Sequence, residues 1–368
     1  MQFARAGYTD AEIQAALVAP TRQIRVRYEL LGRDLQYKRD ITTVSSGTIT
    51  FDSGSAIMRT AQFEMRDEEI DYLSARIRPV FGLRMEGVWA EWPLGVFVLS
   101  SPERIAKGKT VSRTVEAYDL NQLLKTDGIS ARIYYPAGTR YTDIVFNVLY
   151  GAGITRANIE GAEDTIAEAV EYTPGAYRLD IINELLAAIN YTPIHPDANG
   201  IFTARKQRDI ELGDIAYKYS TKQDSVIMGE AKEAVDYFDT PNRFVAYVSS
   251  PEVAPMRAVY ENTDPQSPLS TKNRQVVTEV IELRDISTQA ELDAYVRRRA
   301  IEAEADLHGI DFATGLMPMH GYKDVYQVEH DVLGINEIYQ ETAWSMELRA
   351  GGKMKHKARR ITRCILRP

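Results

Sequence analysis

Apolar positions along the chain follow two periods, and the switches between them mark its organisation. Thr9-Asp10-Ala11-Glu12 has the form of a helix capping box, Ile13, Ala16 and Leu17 follow at helical spacing, and Pro20 ends the element. From Ile24 the period becomes two: Ile24, Val26 and Tyr28 alternate with Arg25, Arg27 and Glu29, as in a half-buried strand. The alternation recurs at Ile49 and Phe51; at Ala61, Phe63 and Met65; from Ile77 through Pro79, Phe81 and Leu83 to Met85; at Val96 and Val98; and at Val111, Val115 and Ala117. Glycines such as Gly32, Gly54, Gly87 and Gly108 separate these runs, so the segment to about residue 119 predicts an antiparallel sandwich or barrel.

Between about 120 and 225 the pattern becomes mixed. Thr142 and Asp143 open an apolar-periodic run through Ile144, Val145, Val148 and Leu149 that stops at Gly151-Ala152-Gly153, and Leu179, Ile182, Leu185, Leu186 and Ile189 predict a second amphipathic helix. Asn199-Gly200 between Tyr191–Ile194 and Ile201–Ala204 is a hairpin signal. Strand signals return after 226: Phe244, Ala246 and Val248 alternate, and Val276, Val280 and Leu283 form a looser run. Glu261–Ser270, with Pro265 and Pro268, predicts a loop; Ser287 to Glu291 caps a helix carrying Leu292, Tyr295, Val296 and Arg299; the segments around 324–328 and 343–348 read as strands. Charged glycine turns at Lys107-Gly108-Lys109 and Gly351-Gly352-Lys353 form a weak echo between the outer segments, leaving open whether they are two copies of one barrel.

Composition narrows the function classes. With 368 residues the chain is long enough for two or three domains, and no apolar run is long enough to span a bilayer. The first residues lack the apolar core of a secretory signal, so synthesis in a cytoplasm is expected, and the single cysteine, Cys364, allows no internal disulfide. The net charge of −8 is uneven: from Arg349 onward there are eight Lys or Arg and no acid, leaving −16 on the remainder. An acidic body disfavours DNA reading but suits a wall past which nucleic acid slides. The basic C-terminal stretch reads as a solvated end or a protected strand edge, or else as a dock for an acidic partner through Lys353, Lys355, Lys357, Arg359 and Arg360.

Catalytic signatures are sparse. Phe51-Asp52-Ser53-Gly54 resembles the Asp-Ser/Thr-Gly loop of aspartic peptidases, but those enzymes need two such carboxylates and the chain has one copy; an ordinary hairpin fits as well. The histidines, His195, His308, His320, His330 and His356, include no pair at helical metal spacing; His320 with Glu329, His330 and Asp331 is the nearest grouping, and all read as surface histidines. Nucleophile elbow, Walker loop and dinucleotide fingerprint are missing, and Cys364 has no histidine close enough in sequence to activate it. No catalytic residue, cofactor or metal is expected.

Several ordered strings carry a family resemblance. Ile133-Tyr134-Tyr135-Pro136-Ala137-Gly138-Thr139, the helix ending at Leu149-Tyr150-Gly151, Tyr172-Thr173-Pro174-Gly175, Leu179-Asp180 to Leu186, Asp197 to Phe202, Tyr260 to Pro265 and Ser267 to Ser270 resemble the phage tail hub family: baseplate hubs of contractile tails and the N-terminal hub part of tail-associated lysozyme proteins. The structural motif residues carried over are Pro174, Gly175, Asp180, Asn199, Gly200, Asn262, Pro265 and Pro268. The resemblance covers about two thirds of the chain; it departs at Tyr172, where a Trp is often expected, and any lytic or fibre function is expected on a separate chain, since none follows within the residues to Pro368.

What the resemblance implies is an α+β chain of two tail-tube-like antiparallel β-barrel domains with an inserted small α/β domain. The expected parts are an N-terminal helix or arm (1–20), a first barrel (21–125), the insert (126–225), and a second barrel with one long helix and a basic C-terminal tail (226–368). It further implies a homotrimer in the virion, at the tail tip or baseplate, synthesised in the host bacterial cytoplasm. Its expected partners are a distal tail protein or the tail tube, the tape-measure protein, and a tip fibre or spike protein, with DNA passing through the channel without specific binding. The competing readings are a tail-associated peptidase using Asp52 or a cell-wall hydrolase, and a carbohydrate-binding tail module using exposed Tyr or Trp89 and Trp92.

Overall fold

The computed structural model describes the chain except residues 2, 101, 209, 223–224, 236–237, 249–254, 284–287, 307 and 362–368, so Cys364 and the last two arginines lie outside the described residues. The protein is mostly β, with five α-helices among the described residues: Asp10–Val18 (α1), Asn121–Thr126 (α2), Tyr141–Gly151 (α3), Arg178–Ala188 (α4) and Gln289–Asp306 (α5). None is long and apolar enough to cross a membrane. Capping boxes form at both helix starts: Thr9 with Glu12 opens α1, and Thr288 exchanges hydrogen bonds with Glu291 at the start of α5.

Fifteen strands pair into one continuous sheet. Its path runs from Lys232–Val235 through His308–Gly315, Lys353–Arg360 and Ile335–Glu347 to Val44–Asp52, Arg59–Arg66 and Thr110–Asp119, and ends at Ile24–Leu31 and Tyr37–Ile41. The seam between the outer segments is the antiparallel pair Val44–Asp52 and Ile335–Glu347, where Trp344 faces Phe51 and their rings stack at 5.7 Å. One apolar core runs beneath, from Phe3 through Phe51, Phe63 and Phe81 to Phe312, Trp344 and Ala358. The expected two closed barrels are therefore not seen as separate closed sheets, because this pairing joins the outer segments edge to edge. Ile215–Ser220, within the range expected for the insert, also belongs to this sheet, lying parallel to Val325–His330.

The alternation at Val96 and Val98 is real but faces the other way. Phe97 and Leu99 enter the large core, whereas Val96 and Val98 pack with Leu31 and Leu120 against the insert. That strand is buried on both sides, so either set of alternate residues reads as an inside face.

The insert is built from α2, α3, α4 and two small sheets: Ile133–Tyr135 with Val170–Tyr172, and Phe202–Ala204 between Ala157–Ile159 and His195–Pro196. Ile144, Val145, Val148 and Leu149 of α3 meet Leu179, Ile182, Leu185 and Leu186 of α4. Gly153, at φ +74°, ends α3 in the left-handed conformation that glycine adopts without strain. A third unit places Arg243–Val248 between Met256–Glu261 and Thr278–Leu283, with α5 packed on Phe244, Ala246 and Val248 through Leu292 and Val296. Here Ile281 and Leu283 face the helix, and Val280, expected inside, is 63% exposed.

Candidate functional site

The densest polar constellation lies inside the large core, where sequence reasoning expected none. His320 from the loop before Val325–His330, Glu341 from Ile335–Glu347 and His356 from Lys353–Arg360 meet with side chains at most 1% exposed. Both Nδ1 atoms approach one carboxylate oxygen, Glu341 Oε2, at 3.0 Å from His320 and 3.1 Å from His356. On the outer side of each ring, His320 Nε2 lies 2.7 Å from the Tyr219 hydroxyl and His356 Nε2 lies 2.9 Å from Thr314 Oγ1. The reading of His320 and His356 as surface histidines is thus corrected: both line up with the apolar face of their segments, and His356 stacks on Phe312 at 4.8 Å.

A β-bulge puts the acid there. Counting inward from Met346 and Trp344, strict alternation would turn Thr342 and Gln340 toward the core; the register shifts between Glu341 and Ala343, leaving Thr342 as the extra residue and turning Glu341 and Tyr339 inward. Burial alone would raise the Glu341 carboxyl, but the charge and hydrogen bonds of His356 and His320 outweigh it and hold it at about 2. Burial in turn lowers His356, and burial, reinforced by the Glu341 charge, pushes the Tyr219 and Tyr326 hydroxyls far up.

A second polar region forms the joint between sheet and insert. Arg59, 4% exposed, donates from Nη1 to Pro196 O at 2.7 Å, and Asn121 donates from one amide to both Ala56 O and Ile194 O at 3.0 Å. The Asp119 carboxylate accepts from the backbone N–H of Arg59 and of Asn121, yet burial still raises it to about 6. His195 is 9% exposed, stacks on Tyr322 at 4.4 Å and is pushed down to about 4, chiefly by burial. A cleft of about 310 Å³ opens over this joint, bordered by Met1, Arg59, His195, His320 and Asp324.

The other residues singled out by sequence are placed as follows. Asp52 accepts from Gly54 N at 2.9 Å and from the Ser55 hydroxyl at 3.1 Å, so its carboxylate closes the hairpin turn and faces no second carboxylate in these bonds. Trp92 is buried at 2% and offers no exposed sugar platform, whereas Trp89 is half-buried with Arg25 and Arg84 over its ring. Gly175 takes φ +95° and its N–H donates to Ile129 O; Asp180 sits in the first turn of α4. Gly200, at φ +78°, approaches Leu120 and Val96 so closely that a Cβ would lie 3.1 Å from each. Asn262 donates to the Ser267 hydroxyl, Pro265 O accepts from Asn273, and Pro268 is exposed.

The basic stretch is neither an edge nor a tail over residues 353–360. Lys353–Arg360 is an interior strand between His308–Gly315 and Ile335–Glu347, with Met354, His356 and Ala358 inward and Lys353, Lys355 and Lys357 outward. Arg359 bonds Gln340 and Arg360 pairs with Glu337 at 2.7 Å. A groove of about 470 Å³ runs beside the lysines, lined also by Thr50, Asp311 and Trp344.

No family model matches the sequence, and no curated protein matches it. The fold is shared with solved tail proteins. A tail protein from Neisseria meningitidis MC58 superposes with a TM-score of 0.67 at 10% identity, covering 91% of this chain and 96% of its own. The 43 kDa tail protein of prophage MuSo2 from Shewanella oneidensis gives 0.63 at 10% identity, with 91% and 98% covered. A chain of the Francisella PdpA–VgrG complex gives 0.57 at 7% identity, covering 95% of this chain and 55% of that one. At such identities the likeness is one of fold, shared with these tail proteins and with a chain of the PdpA–VgrG complex.

Proposed function

We propose that this chain is a structural hub at the tip of a phage or phage-like tail, joining the tail tube to the tip or baseplate. The observation that carries the reading is fold likeness to two tail proteins across nine tenths or more of both chains. In this reading three copies form a ring, and each contributes two tail-tube-like units, one from each side of the Val44–Asp52 seam, to present a pseudo-sixfold face to a sixfold tube. The ring's channel passes the tape-measure protein and then DNA, for which the acidic balance of the residues before Arg349 is physically suited. Lys353, Lys355 and Lys357 supply an outward cationic row for an acidic partner in the tail. The role is non-catalytic, with Asp52 serving its turn.

The test is assembly. Light scattering on the purified chain, alone and mixed with its tail-tube protein, is expected to give three copies per particle. Asp52→Ala is expected to assemble like the parent. A chain that stays monomeric under both conditions contradicts the proposal.

A further inference from the structure

We propose that His320, Glu341 and His356 form a structural binding site for a divalent transition-metal ion of the zinc class. Two imidazole nitrogens and a carboxylate oxygen lie within 4.8 Å of one another, fully inside the core, and this donor set suits zinc and its first-row neighbours.

The outer contacts fit the same role. A histidine that ligates through Nδ1 has an Nε2–H to donate, and Tyr219 and Thr314 stand where such hydrogens point. Thr314 has a single hydroxyl hydrogen, and Gly315 O lies 2.7 Å away to accept it. With the hydrogen placed there, Thr314 Oγ1 accepts from His356 Nε2–H, and when the ring is neutral His356 Nδ1 is left as a bare lone pair 3.1 Å from a carboxylate oxygen. That contact is repulsive until a cation occupies the space between them. His320 Nδ1 likewise lies 3.0 Å from Oε2 without a well-aligned hydrogen bond, so with a neutral ring protonated at Nε2 its lone pair is free for a shared ion. A fully buried carboxylate needs compensating positive charge, and a divalent ion supplies it with both rings neutral.

There is also a way in. His320 borders the cleft over the sheet–insert joint, and His356 borders the groove beside the lysine strand, so the centre lies behind two surface openings. The inference is independent of ring formation, since every readout is made on the single chain.

The competing occupant is a proton shared by the same three groups, and metal analysis separates the two. The full chain, purified without a metal-affinity tag from medium containing trace metals, is expected to carry about one transition-metal ion per chain by mass spectrometry of the digested protein. After chelator treatment, cobalt(II) is expected to restore one equivalent with visible d–d absorption bands, and stripping is expected to lower the thermal midpoint. Glu341→Gln and His356→Gln should lose the ion, and Thr314→Val should weaken cobalt binding by about 10- to 100-fold while staying folded. His330→Ala, which alters a histidine outside the cluster, should change nothing. A folded parent chain with no stoichiometric metal, no cobalt bands and an unchanged midpoint after chelation overturns the proposal. So does an ion that is lost with His330 but kept in His356→Gln.

Discussion

The core of the large sheet and the core of the insert solve the same problem in different ways. The insert's apolar core is assembled mainly from residues 120–204, with Leu31, Val96 and Val98 among its contacts on the sheet. The sheet core encloses a carboxylate and two imidazoles, drawn together from elements as far apart in sequence as Tyr219 and His356, beneath a sheet that pairs residues 44–52 with residues 335–347. Local contacts with an apolar interior tolerate small changes of packing, whereas a buried charge tolerates only its own partners. The comparison teaches that the insert is specified by local pattern, and the sheet by long-range pairing fixed at a few polar points.

The largest effect is expected from removing the point of convergence. Glu341→Ala leaves two histidines facing an emptied site in the core and should cost about 3–5 kcal/mol, read as a lowered denaturant midpoint. Leu186→Ala, fully buried in α4, should cost about 2–4 kcal/mol by opening a cavity. Hydrogen exchange distinguishes the two: Leu186→Ala should loosen amides of residues 133–206 first, and Glu341→Ala those of the sheet.

The joint between the two cores is expected to respond to pH through two opposing groups. His195 titrates near 4 in the folded chain against about 6.5 unfolded, so between those values the unfolded chain binds the extra proton and acid destabilises. Asp119 titrates near 6 against about 3.9 unfolded, so in nearly the same window the folded chain binds the extra proton and acid stabilises. At about 1.4 kcal/mol per pKa unit each amounts to about 3 kcal/mol, and in the parent chain they largely cancel. Asp119→Asn should therefore lose stability on acidification from pH ~6.5 to ~4.5, and His195→Gln should gain it. A parallel response in both variants breaks this account of the joint.

Smaller effects follow at the insert's own contact. Gly200→Ala forces a side chain into positive φ and against Leu120 and Val96, at a cost of about 1–3 kcal/mol measured by thermal unfolding. Replacing Lys353, Lys355 and Lys357 together with Ser should leave stability within about 0.5 kcal/mol per site while weakening any acidic partner, because all three point outward.

Legibility in the sequence divides along the same line. The periods of α3 and α4, the capping boxes at Thr9 and Thr288 and the Asn199-Gly200 turn are local, so residue spacing alone discloses them. The burial of Glu341 depends on a bulge at Thr342 that exists only relative to the partner strand, and no spacing rule joins Glu341 to His320 or His356. One signal was available: Lys-Met-Lys-His-Lys-Ala at 353–358 alternates with period two, which places His356 on the Met354 and Ala358 face rather than on the lysine face. The continuity of the sheet across residues 44–52 and 335–347 was not legible, because strand partners far apart in sequence leave no trace in either strand's own pattern. Val96 and Phe97 show the converse limit, since a strand buried on both faces offers two equally good inside faces.

The central claim, a hub that works by assembly, is tested most directly by electron-microscope class averages of the purified chain, alone and with its neighbouring tail proteins. The account predicts threefold rings with an open centre. Compact single copies without a ring under either condition would contradict it.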